Sequence, residues 1–223
     1  MRTLALIYLS AALLISGCAS TPTTPASALE SAKAMTPDNP FAAPSTLYMQ
    51  MPAFDKIDNA HYAPAFVQGM SDHLVEIDAI ANDPTPATFA NTMVPLEKSG
   101  QLLNRVSIVF YALASADTND TIESLRAELA PKMSAHFDNI FLNEKLFGRV
   151  KALHDTRADA GYDAESLRLV EETYKQFVRA GALLDEAQKE TLRGMNAEIA
   201  SLQTQFSQNV LNEVNAKAIV VED

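Results

Sequence analysis

Apolar residues along most of the chain recur at steps of three and four, the spacing of one helix face, and seldom at steps of two. The longest such run is Leu192, Met195, Ile199, Leu202, Phe206, Val210 and Val214, which places seven apolar side chains on one stripe. Asp185 and Gln188 stand ahead of it in capping-box spacing, where a side-chain oxygen takes one orphan N–H and the third helical residue reaches back to another. The pattern predicts a helix from Asp185 to Asn215, roughly 45 Å long at ~1.5 Å per residue. A stripe of that length needs partner helices. Directly after it, Ala218, Ile219, Val220 and Val221 have the β-branched character of a strand. No other strand-like run precedes it, so this terminal short strand is expected to pair with sequence beyond this chain.

Five further helical stretches precede the long one. Phe66, Met70, Leu74 and Ile77 mark the first, with Pro64 in its opening turn and Asn82-Asp83-Pro84 at its end. Leu96, Leu103, Val106, Val109, Phe110 and Leu113 mark the second, broken or kinked near its start by Pro95. Asp120 with Glu123 has capping-box spacing and opens the third, which runs through Ile122, Leu125, Leu129, Met133, Phe137 and Ile140, with a kink expected at Pro131 and an end at Asn143. Leu146, Phe147, Val150 and Leu153 give a shorter fourth, and Ala160-Gly161 a turn. The fifth begins at Asp163, carries Leu167, Val170, Tyr174 and Phe177, and closes at Gly181. The fold class is therefore all-α, a bundle-like set of helices joined by short loops and ending in that one strand.

The first residues are of another kind. Arg2 followed by the apolar run Leu4 to Ile15 has the form of a signal segment, too short to span a bilayer as a mature helix. Ile15-Ser16-Gly17-Cys18 resembles the lipobox of bacterial lipoproteins, which makes Cys18, the chain's one cysteine, the lipidation site and the first mature residue. With acyl chains at ~0.8 kcal/mol per buried CH₂, such an anchor holds a protein on a membrane. Ala19 follows the cysteine in place of the aspartate that resembles an inner-membrane retention signal, so the expected location is the cell envelope, on the outer membrane facing the periplasm. Residues 18–46 are rich in Pro, Ser and Thr and read as a tether, and residues 47–223 as the helical domain. Removing residues 1–17 takes away one charge, Arg2, and leaves a formal charge of -12 where the full chain has -11. That acidic balance without a basic cluster excludes nucleic acid as a partner.

Candidate chemistry is sparse. The four histidines are His61, His73, His136 and His154, none followed by Glu and no two at i, i+4, so no catalytic or metal-ligating residue is assigned. His73 and Glu76 stand one turn apart, and a solvated helix-face pair is the plainer reading than half of a metal site. Glu171-Glu172 invites an acid/base reading, yet adjacent residues point away from each other on a helix. The glycines form no phosphate loop, and there is no Gly-x-Ser-x-Gly elbow. Phe66, Phe110, Phe137, Phe177 and Phe206 lie on helical stripes and are expected in the core.

Several short segments, in order and in register, carry a resemblance: Asn39-Pro40-Phe41, Phe54-Asp55-Lys56-Ile57, LASADTND from Leu113 to Asp120, FLNEKLF from Phe141 to Phe147, SLRLVE from Ser166 to Glu171, FVRAGA from Phe177 to Ala182, and MNAEIASLQTQFSQNVL from Met195 to Leu211. Together they are similar to the N-terminal part of bacterial peptidyl-dipeptidases, in the thimet oligopeptidase family of zinc metallopeptidases. The resemblance implies a helical enzyme whose two parts wall a deep channel that admits short peptides. It also implies a zinc held in the C-terminal part by His-Glu-x-x-His, whose two imidazoles share a helix face and whose Glu activates the metal-bound water. That motif is absent here. The expectation is thus the non-catalytic N-terminal part of a lipid-anchored peptidase, with zinc confined to a C-terminal part this chain lacks. The implied partners are short peptides, the membrane, and either a complementary C-terminal fragment or a second copy. Two alternatives stand beside it: a free-standing helical envelope lipoprotein that binds peptides or a protein partner, and a structural adapter that pairs through the long helix.

Overall fold

The computed structural model describes residues 27–217; the expected signal segment 1–17, Cys18 and the strand expected at Ala218–Val221 lie outside them. The described residues are all-α, with no strand among them. Seven helices follow one another: α1 Tyr62–Ala81, α2 Val94–Lys98, α3 Gln101–Ala116, α4 Asp120–Phe141, α5 Glu144–Thr156, α6 Ala164–Arg179 and α7 Glu186–Lys217. A π-helical turn, Phe89–Met93, leads into α2.

Asn143 Oδ1 accepts the N–H of Leu146 and Asp163 Oδ1 that of Ser166, and Asp185 and Gln188 exchange both bonds of their box. The start of α4 departs from expectation. Asn119 is its N-cap, taking the N–H groups of Thr121 and Ile122, while Glu123 accepts from the Thr118 hydroxyl. The short amide at 119 reaches two orphan donors at once, so the Asp120–Glu123 box is not formed. Pro95 does not break its helix: the chain stays helical through it to Lys98, and the irregularity expected there is the π-helical turn that directly precedes it. The break falls at Gly100, whose φ of 69° is open to glycine, and a Cβ there would lie 2.8 Å from His73 Nδ1. Pro131 lies inside a helix that continues through it.

α1 and α3 run antiparallel and very close, since a Cβ at Gly69 would stand 2.9 Å from the Leu103 backbone. Between α1, α3 and α4 lie Tyr62, Phe66, Leu103, Val106, Phe110, Leu125 and Leu129, with Phe66 and Phe110 edge to face at 5.2 Å. A second cluster joins the ends of α1 and α4 to α5 and α6 through Ile77, Ile140, Leu146, Phe147, Val150 and Phe177. The described part of the expected tether does not stand apart from the helices. Ser27, Ala28 and Leu29 all bond to the Glu128 carboxylate, and Leu29 and Phe41 are buried. α7 lies antiparallel along α4: Asn196 donates to Asp138 at 2.8 Å near one end and Gln208 to the Glu123 carbonyl at 3.0 Å near the other.

Candidate functional site

Two places gather polar or exposed groups beyond what folding needs: a histidine pair between α1 and α4, and the outer face of α7. The pair joins residues 63 positions apart. His73 Nδ1 and His136 Nε2 are 3.0 Å apart, and His73 Nε2 is 3.1 Å from Ser99 Oγ. The Ser99 hydroxyl donates to the Leu96 carbonyl at 2.7 Å, so it accepts from His73 Nε2–H. His73 Nδ1 then accepts from His136 Nε2–H, and the buried His136 Nδ1 is left without a partner among the described residues. Burial, and then the neighbouring His73, push the His136 pKa down to about 4; burial also lowers that of His73, with Glu76 opposing.

A serine beside a histidine beside a second histidine has the layout of a nucleophile and its base, but the serine proton is committed to a carbonyl. The adjacent donor that could serve an oxyanion, Gly100 N–H, is taken by Glu76 at 2.7 Å. The histidines therefore act as a brace between α1, α4 and the α2–α3 break. This corrects the reading of His73 and Glu76 as a solvated pair for one partner: His73 is half-buried against His136 and Ser99, while Glu76 stays exposed and accepts the Gly100 N–H at the break. The signal available was that His73 falls on the buried stripe of α1, between Met70 and Ile77, and His136 on that of α4, between Met133 and Ile140.

Because both rings are neutral in the folded chain, stability should be full above the ordinary histidine pKa of about 6.5 and be lost as pH falls from there toward 4. The loss from this brace is expected to be about 2–3 kcal/mol. Urea unfolding at pH 7.5, 6 and 5 checks it: wild type should lose stability more steeply than His136→Gln, and parallel losses would remove the brace from the account.

The other histidines serve local structure. His61 Nδ1 accepts the Asp58 N–H, and the His154 ring stacks on Tyr174 at 3.8 Å. Glu171 turns to Arg157 and Glu172 to Arg168 and Lys175, so the acidic neighbours point apart as expected. No three His, Cys, Asp or Glu side chains among the described residues stand where they could hold a metal ion. The histidine pair has no third such side chain placed beside it, so the described residues do not fit a zinc, which the resemblance places in the C-terminal part.

The outer face of α7 is the larger anomaly. Phe66, Phe110 and Phe177 are fully buried as expected, but Phe137 is 43% exposed and Phe206 70%. Met195, Ile199, Leu202, Val210 and Val214 are also about half exposed. The face that α7 turns to α4 carries Asn196, Ala200, Thr204 and Ser207, small or polar residues at the same three-and-four spacing. The expectation that the apolar stripe meets partner helices is thus not met within the described residues. Small side chains let the two helix axes approach, and the large apolar ones are left outside.

No family model matches the chain. Over 189 residues, 85% of its length, it is 43% identical to the dipeptidyl carboxypeptidase of Escherichia coli (strain K12). It is also 43% identical to that of Salmonella typhimurium over 185 residues. The match to oligopeptidase A of Haemophilus influenzae is 24% identical over 162 residues. The chain spans 28% of the first of these relatives, 27% of the second and 24% of the third, about a quarter of the length of each.

Proposed function

Because this chain belongs to the thimet oligopeptidase family, in its dipeptidyl carboxypeptidase branch, we propose that it supplies the N-terminal helical wall of a zinc peptidyl-dipeptidase that degrades short peptides. The chain contributes no catalytic or zinc-binding group itself. The observation that carries the reading is the apolar face of α7, from Met195 to Val214, left open in a chain that spans about a quarter of its relatives' length. Such a stripe is maintained where something covers it, and the rest of the peptidase is the occupant that the relatives carry in one chain. Cys18 would hold the assembly on the outer membrane, facing the periplasm, where short peptides are the substrate.

The test mixes the chain from residue 18, as Cys18→Ala, with the remainder of the Escherichia coli dipeptidyl carboxypeptidase lacking the matched region. Each alone should leave short peptides intact. Together they should release C-terminal dipeptides at least tenfold above background, and a chelator should stop the release. Cleavage by the chain alone, with one tight zinc, would overturn the assignment of the catalytic group. A mixture that stays at background, with both parts folded, would favour the free-standing lipoprotein instead. In cells, Cys18→Ala should move the protein from the membrane to the soluble fraction.

A further inference from the structure

Ahead of α1 the chain makes a turn whose large side chains face away from the core. Leu47, Tyr48, Met49, Met51 and Phe54 stand out from it, with Tyr48 85% and Met49 82% exposed. Its hydrogen bonds are local: the Leu47 N–H donates to Ser45 Oγ, the Gln50 N–H to the Leu47 carbonyl and the Met51 N–H to the Tyr48 carbonyl. Met49 and Gln50 are left-handed in succession, at φ of 53° and 57°, a region that residues with side chains rarely adopt. Such a conformation is held where its surroundings fix it. Among the described residues no hydrogen bond joins 47–54 to another element.

Composition and position both point outward. Residues 39–54 contain no Asp, Glu, Lys or Arg, in a chain of formal charge -11. Depletion of charge with Tyr, Phe and Met in its place is the composition of an interface centre, and methionine adapts its shape to a partner. Asn59 donates to Asn119 Oδ1 at 3.1 Å, so the segment closes against the start of α4. Gln208 of α7 meets that same start at the Glu123 carbonyl, one turn on. The turn and the late part of the α7 stripe thus lie toward one end of the bundle, where a single large body can cover both.

We propose that the turn at 47–51 is a second docking point for the rest of the peptidase, with Tyr48 and Met49 seated in an apolar hollow of that part. This rests on the reading of the chain as the N-terminal wall. The remainder is favoured as occupant because the chain spans 28% of the Escherichia coli relative, which leaves a body larger than the chain itself. Asn39-Pro40-Phe41 and Phe54–Ile57, which bracket the turn, are also among the segments that carry the family resemblance.

Methionine oxidation by dilute peroxide reads the coverage, since each sulfoxide formed marks a thioether that the oxidant reached. The chain from residue 18, as Cys18→Ala, is oxidised alone and with an excess of the remainder of the Escherichia coli enzyme, and each methionine is followed by mass spectrometry. Met93, fully buried, is the unreactive reference, and Met195, 55% exposed, reports on the α7 stripe. With the remainder present, Met49 and Met51 should slow at least fivefold. Tyr48→Ser should weaken the complex about tenfold, as loss of an aromatic anchor does, with circular dichroism unchanged. Met195 slowed while Met49 and Met51 keep their free rates would overturn this docking point and leave the N-terminal wall standing. All three at their free rates would overturn both. Met49 and Met51 slowed with Met195 free would uphold the docking point and remove the cover from the stripe. Equal slowing by phosphatidylethanolamine vesicles, or by a higher concentration of the chain alone, would put a lipid surface or a second copy in place of the remainder. A Tyr48→Ser complex as tight as wild type would show that the turn is covered without docking, and would also overturn the proposal.

Discussion

Replacing Ile199 and Val210 together by glutamate is expected to turn the isolated chain from an associating species into a monomer, with its helix content unchanged. Both residues are about half exposed on the outer face of α7. On the proposed reading, the stripe they share with Met195, Leu202, Phe206 and Val214 is expected to find its own kind when this chain is studied alone. A buried aliphatic side chain is worth ~1.5–3 kcal/mol, and a glutamate in its place must be desolvated. Losing two such contacts on each copy should weaken association at least 100-fold, equivalent to ~2.7 kcal/mol. The helix itself has little to lose, because glutamate is at least as good a helix former as valine or isoleucine and the α4-facing side is untouched. Sedimentation velocity at tens of micromolar, with circular dichroism on the same samples, reads both quantities. A wild-type chain that is already monomeric, or a variant that still associates, would mean that copies of this chain do not meet through the stripe.

α7 also shows where sequence reasoning stops. Its capping box at Asp185 and Gln188 was plain, and so was its apolar period. What periodicity could not say is which of two regular faces turns inward. Met195, Ile199, Leu202 and Phe206 repeat at three and four, and so do Asn196, Ala200, Thr204 and Ser207, one or two positions on. The rule that the apolar face is buried holds only if its partner lies in the same chain. Phe206 was misplaced for that reason, whereas Phe66 and Phe110, whose partners are each other, were placed correctly. The converse error concerns polar residues on buried stripes. His73, His136 and Arg149 all sit at core spacing on their helices, and each braces another element across a long sequence separation. A lone polar residue on an apolar stripe names a brace; it does not name the partner, which depends on tertiary packing.

Arg149 is the strongest of these braces, and Arg149→Met should cost about 3–5 kcal/mol, the loss typical when one partner of a buried charged network is removed. The guanidinium is 9% exposed and reaches from α5 into the loop between α1 and α2. Nη1 donates to the carbonyls of Asp83 and Thr85, both at 2.9 Å. Nη2 donates to Asn91 Oδ1 at 2.9 Å and lies 3.4 Å from the Asp83 carboxylate, while Nε lies 3.3 Å from Thr92 Oγ1. One side chain thus satisfies acceptors from 83 to 92, in a stretch with no long helix to do it. Methionine keeps much of the stem's volume, so the expected loss is that of the donors and not of a cavity. For a chain of this size it corresponds to a fall in Tm of about 10 °C. Lysine at the same position lacks the fork and should recover only part. Arg168→Met is the control: that side chain is 68% exposed and pairs with Glu172 one turn away on the same helix, so it should change stability by less than about 0.5 kcal/mol. Urea unfolding gives the energies, and hydrogen exchange should show residues 83–93 opening first in Arg149→Met. A variant within 1 kcal/mol of wild type, with that loop still protected, would show that the loop holds its shape without the arginine.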